Sequence, residues 1–141
     1  MSDPLHMRRE ILEPRPGLTV ALLDTIAHVG PDDAGGIVVT GSHGGISSGE
    51  YAARVRLAAV FFNDAGGGKE DAGRAALGLL EAAGMAAGTL SHESAMIGDA
   101  RDGWENGIVS GLNQRARSMG FRIGEAIRDA VARLPEAADE T

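Results

Sequence analysis

Leu57-Ala58-Ala59-Val60-Phe61-Phe62 runs into Asn63-Asp64-Ala65-Gly66-Gly67-Gly68-Lys69, then into an alanine- and leucine-rich stretch ending at Gly84, then into Met85 to Leu90. This succession decides the fold. The first run is short, apolar and closed by a glycine cluster, which reads as a buried strand and its exit loop. From Lys69 to Ala83 the spacing predicts a helix. Ala72, Ala76, Leu79, Leu80 and Ala83 share one face, Glu70, Asp71 and Arg74 the other, and Gly84 supplies the C-terminal cap. Met85 to Leu90 returns as a second strand, weakened in propensity by its alanines and Gly88. Strand, helix and strand at this spacing form a βαβ unit, whose strands lie parallel.

Outward from this unit, Leu18 to Ile26 and Gly36 to Thr40 read as two further strands, separated by the turn Gly30-Pro31-Asp32-Asp33. Their connection is too short for an ordinary crossover helix, so they are antiparallel neighbours or are joined by a compact loop. Ser47-x-x-Glu50 and Asp102-x-x-Glu105 are capping-box patterns. The first opens a helix to about Arg56 with Tyr51, Val55 and Ala58 inward. The second opens one through Met119, ended by Gly120, and a last helix runs from about Gly124 to Leu134 before Pro135. The expected fold is α/β: a three-layer sandwich with a small, Rossmann-like, mostly parallel sheet, one antiparallel edge strand allowed, flanked by helices. Residues 1–17, with Pro4, Pro14 and Pro16, read as an irregular arm with a helical turn around Met7 to Leu12. Residues 18–134 form the single domain, and 135–141 an acidic tail.

Composition limits the chemistry. The chain has 141 residues and no cysteine, which removes disulfides, zinc–thiolate centres, iron–sulfur clusters and thiolate nucleophiles, and fits a reducing cytoplasm. A net charge of −7 and an aromatic content of 4% argue against nucleic acid or an anionic membrane as partner. No targeting segment or membrane-spanning run is expected. A small domain of this kind is expected to work as a homo-oligomer or as a subunit of a larger complex.

Three strand ends carry the candidate chemistry. Gly41-Ser42-His43-Gly44-Gly45 follows Val38-Val39-Thr40, Asn63 to Lys69 follows Phe62, and Ser91-His92-Glu93-Ser94 follows Leu90. In an open α/β sheet, ligands bind beyond the carboxyl ends of the strands. His43 and His92 are candidate acid–base residues, and Asp64 a candidate to orient one of them or to take a proton itself. Ser42, Gly44, Gly45, Asn63, Gly67, Gly68, Lys69, Ser91 and Ser94 are candidate ligand-binding residues, the glycine loops offering backbone N–H groups and Lys69 a cation to an anionic group.

The known motifs fail in instructive ways. Asn63 and Glu70 stand where a Walker A loop needs its first glycine and its hydroxyl, and no G-x-G-x-x-G follows a strand, which argues against nucleotide cofactors. Gly45-Ile46-Ser47-Ser48-Gly49 matches G-x-S-x-G formally, but capping explains Ser47 more simply than nucleophilic attack. No cofactor is expected. Two histidines and an aspartate could take a divalent metal, but without H-x-H or H-x-x-x-H spacing this ranks below direct acid–base use. The expected function is a hydrolase, lyase or isomerase using histidine on a small metabolite with a carboxylate, amide or phosphate; the alternative is a non-catalytic ligand-binding or accessory subunit.

Overall fold

The computed structural model describes residues 9–66 and 74–135. Among them, one sheet contains β1 (Arg9–Arg15), β2 (Leu18–Leu23), β3 (Ile37–His43), β4 (Ala59–Asn63), β5 (Ala86–Leu90) and β6 (Val109–Leu112), and their spatial order is their order in the chain. β2 to β5 pair in parallel, and β1 and β6 pair antiparallel on the two edges. The sheet is therefore mixed, not mostly parallel.

Each edge has a simple cause. β1 and β2 are joined by a tight turn at Pro16-Gly17, where Gly17 takes φ +83°. Residues 9–15, expected as irregular chain with a helical turn, thus form a strand. At the other edge the chain leaves β5, crosses one face of the sheet and re-enters beside the end it left, pairing Val109 with Leu90. Without a crossover back to the amino ends, β6 must run antiparallel.

The inner strands are buried on both faces, which is why they read as continuous apolar runs. On one face, Val20, Leu22, Ile37, Val39 and Phe61 pack against Trp104 of α3 (Ala100–Asn106), Ala116 of α4 (Gln114–Met119), and Ile127 and Val131 of α5 (Ile127–Arg133). Phe121 meets Phe61 edge-on, with ring centroids 4.8 Å apart. On the other, Ala21, Leu23, Val38, Val60 and Phe62 pack against Ala52 of α1 (Ile46–Ala53) and Ala76 and Leu80 of α2 (Ala75–Ala82).

β2 and β3 are parallel, joined by a compact loop with two single 3-10 turns, Ile26–His28 and Pro31–Asp33. Arg9 grips Asp33 of that loop through two hydrogen bonds of 3.1 and 2.7 Å. The capping box at Ser47 does not form, because α1 begins two residues earlier, with Gly45 rather than Ser47 at its N-cap. The helix expected from Lys69 is described only from Ala75, and 67–73 lie outside the described residues.

The long helix expected from Asp102 to Met119 is instead α3, β6 and α4. Asp99, not Asp102, is the N-cap of α3, its side chain accepting the Asp102 N–H. Gly107 ends the helix where a Cβ would stand 2.3 Å from the Gly103 carbonyl oxygen. A buried Asn113 then starts α4, its Oδ1 accepting the Ala116 N–H and the Ala87 N–H of β5. No helix among the described residues is long and apolar enough to cross a membrane.

Candidate active site

β4 and β5 are neighbours in parallel, but their exits diverge: the chain after β4 leads to α2 on one face, and after β5 to α3 on the other. The crevice between diverging exits is where open α/β sheets place ligands. Here it holds Asp64 on one side and His92 on the other.

Asp64 is 4% exposed and fully engaged. Its Oδ1 accepts the Gly66 N–H at 2.8 Å and the His92 N–H at 3.1 Å, and lies 3.3 Å from His92 Nδ1. Its Oδ2 accepts the Ser110 hydroxyl at 2.7 Å and stands 3.7 Å from the Arg74 guanidinium. Burial, the largest single influence, pushes the carboxyl up. The Ser110 hydroxyl, the Gly66 and His92 N–H groups and the His92 ring together outweigh it and hold the carboxyl below its ordinary value. Asp64 is thus ionised at neutral pH.

A carboxylate only accepts, so the ring contact requires the His92 proton on Nδ1, which leaves the Nε2 lone pair of the neutral ring available to a ligand. The His92 side chain is 51% exposed, so a solvent-facing imidazole sits on a buried anion. This is the arrangement in which a carboxylate fixes the tautomer and orientation of an imidazole. Behind Asp64, Thr89 Oγ1 lies 3.0 Å from Ser110 Oγ. Ser110 spends its proton on Asp64, so Thr89, fully buried, donates to Ser110.

The exit loop of β4 is locally strained in support of this. Ala65 takes φ +52° and Gly66 φ +77°, a left-handed pair that folds the loop back so that the Gly66 N–H reaches Asp64. Gly66 also lies against the His92 ring, a Cβ there falling 3.5 Å from Cε1. Beside His92 opens a groove of about 570 Å³ lined by His92, Glu93, Met96, Ile97, Asp102 and Ala65 among others.

The other sequence-selected residues are placed differently. His43 lies at the same sheet end, its Cα paired with Asn63, but its ring turns back and Nδ1 accepts the Gly45 N–H at 2.9 Å. It does not line the groove beside His92. Ser42 accepts the Ile26 N–H, and its own N–H goes to Thr40 Oγ1. Gly44 N–H goes to the Asn63 carbonyl. Asn63 clamps two loops, donating to the Ala95 carbonyl and accepting the Ala65 N–H, both at 2.8 Å. Ser91 Oγ accepts the Glu93 and Ser94 N–H groups, and Ser94 Oγ donates to the Ser91 carbonyl and accepts the Ile108 N–H. Gly67, Gly68 and Lys69 lie outside the described residues. Among the described residues, no group of three His, Asp or Glu side chains is placed to hold a metal ion.

Sequence reasoning missed Ser110, Thr89 and Arg74 as partners of this site. Ser110 left one faint signal: a single polar residue between Val109 and Gly111-Leu112, the alternation of a very short strand. Comparison with protein-family models, with curated proteins and with solved structures finds no match.

Proposed function

We propose that this protein is a small-molecule enzyme in which His92 moves protons to and from a polar metabolite bearing a carboxylate, amide or phosphate, in a hydrolytic, eliminating or isomerising reaction. The observation that carries the reading is the seating of the exposed His92 ring on the buried, ionised Asp64, beside an open groove. Asp64 holds the tautomer, Nε2 exchanges the proton, and Ser110 and Thr89 keep the carboxylate in place as positioning residues. His43 is the second candidate proton carrier at the same sheet end, with Nε2 as the nitrogen not engaged by Gly45. The absence of cysteine supports a cytoplasmic setting, and the size of the chain a homo-oligomer or a subunit of a larger complex.

A non-catalytic ligand-binding or accessory role is the second reading. It draws on the open groove beside His92, which would hold a ligand whether or not the imidazole moves a proton.

The two readings separate in one experiment. Small carboxylates, amides and phosphates are screened by thermal shift, since a ligand at a hundred times its Kd stabilises by about 2.7 kcal/mol. Each hit is then incubated with wild-type protein and with His92→Gln, and followed by NMR. The enzyme reading expects a hit to be consumed by wild type, and His92→Gln to lower turnover by about 100-fold or more with affinity kept within about tenfold. Binding without consumption of any hit by wild-type protein leaves the accessory reading standing.

A further inference from the structure

The charge and polarity of the groove beside His92 select among the three substrate groups. Resting on the reading of His92 as the working residue, we infer that the ligand presents a neutral amide on a short apolar body, in preference to a carboxylate or a phosphate. Met96 is 66% and Ile97 52% exposed, two large apolar side chains side by side in the groove wall. Apolar side chains left open beside a polar centre are the usual lining of a small-molecule site. They match an apolar body.

The carboxylates in the lining make it acidic, beside the neutral polar Asn63 and Ser94. Glu93 and Asp102 face the groove, and the ionised Asp64 stands directly behind His92. Among the described lining residues there is no lysine or arginine. Arg74, the nearest described cation at Asp64, is directed to Oδ2, on the side of that carboxylate away from the Oδ1 that holds His92. Nor do backbone donors of the first glycine loop compensate, since the Ser42, Gly44 and Gly45 N–H groups already have acceptors.

An anion entering this groove meets like charges, whose repulsion opposes its binding most strongly at low salt. An amide meets none. Its N–H groups suit the Glu93 and Asp102 carboxylates and the Nε2 lone pair of His92. Asp102 is fixed for this, its Oδ2 accepting the Met96 N–H at 2.7 Å and its Oδ1 the Asn106 amide at 2.8 Å. One residue therefore sets both the acidic rim and the apolar wall.

The test uses one carbon skeleton in three forms: 4-methylvaleramide, 4-methylvalerate and isoamyl phosphate. Each is titrated into methyl-labelled protein at low and at high salt. The expected result is that the amide moves the Met96 and Ile97 methyl resonances and binds about tenfold or more tightly than either anion at low salt, the difference shrinking at high salt. Glu93→Gln, an exposed substitution, should improve binding of the two anions and so narrow the preference for the amide. Equal or tighter binding of either anion, or no amide-induced shift at Met96 and Ile97, overturns the inference. His92→Gln keeps the two ideas apart: the preference for the amide persists in it if the inference holds, whether or not turnover was ever present.

Discussion

Asp64 gathers donors from three separate parts of the chain, and its titration links them to stability. Its folded value lies below the ordinary 3.8, so on acidification the unfolded chain takes up the proton first. Its contribution is therefore complete above the ordinary value and is lost as pH falls through the folded one. Asp64→Asn should cost about 1.5–3 kcal/mol at neutral pH, the scale of hydrogen bonds to a charged group. Urea titrations at pH 7 and pH 3 should show that deficit narrowing at the lower pH; a deficit that ignores pH would refute the assignment of the shift. Ala65 belongs to the same scale. A left-handed non-glycine residue costs about 1–2 kcal/mol, partly offset in any Ala→Gly change by the backbone entropy of glycine, about 0.5–1 kcal/mol. Ala65→Gly should thus raise stability by about 0.5–1 kcal/mol in denaturant melts, and a loss would mean that the positive φ carries no strain. That Asp64 and His92 would meet was legible, since each follows an apolar run that pairs in register. The turning back of the His43 ring was not, because it depends on a backbone N–H of the next helix.

Elements were legible in proportion to their length and punctuation. In the central βαβ unit, Ala59–Asn63 follows from an apolar run closed by a glycine cluster, and Ala86–Leu90 from one that opens after Gly84. β1 was hidden because Pro14 and Pro16 and alternating charges resemble a tail, yet an edge strand tolerates proline and half-exposed charge. β6 was hidden inside a predicted helix because Val109-Ser110-Gly111-Leu112 is too short to show a period. It forms because β5 supplies the other half of its ladder. The loop from Ser91 to Asp99 is the element on which the groove depends, and it lies flat on β3 at Gly41. There the Gly98 N–H donates to the Gly41 carbonyl at 2.8 Å, and a Cβ on Gly41 would stand 2.5 Å from backbone atoms of Gly98 and Asp99. Gly41→Ala should lift this loop, costing about 1–3 kcal/mol and shifting the Met96 and Ile97 resonances together. A stability loss without those shifts would show that the strain is relieved within β3 instead.

At the scale of the whole molecule, two apolar layers share the inner strands, and the edges take part in fewer buried contacts. Native-state hydrogen exchange should therefore find the slowest amides in β3, β4 and β5, opening only with global unfolding, and faster exchange in β1. Comparable protection in β1 would mean that the Arg9–Asp33 clasp ties that edge to the core as firmly as burial does. The sequential strand order has one more consequence, for synthesis. A chain emerging from the ribosome can add each strand beside the one before it, without waiting for a later segment to fill a gap, up to and including β5. Asp64 and His92 can already be neighbours at that stage, but Ser110, which steadies the carboxylate from behind, arrives last with β6. A product stopped short of Val109 would lack Ser110 together with α4 and α5, and so both the finished centre and much of the packing on one face of the sheet.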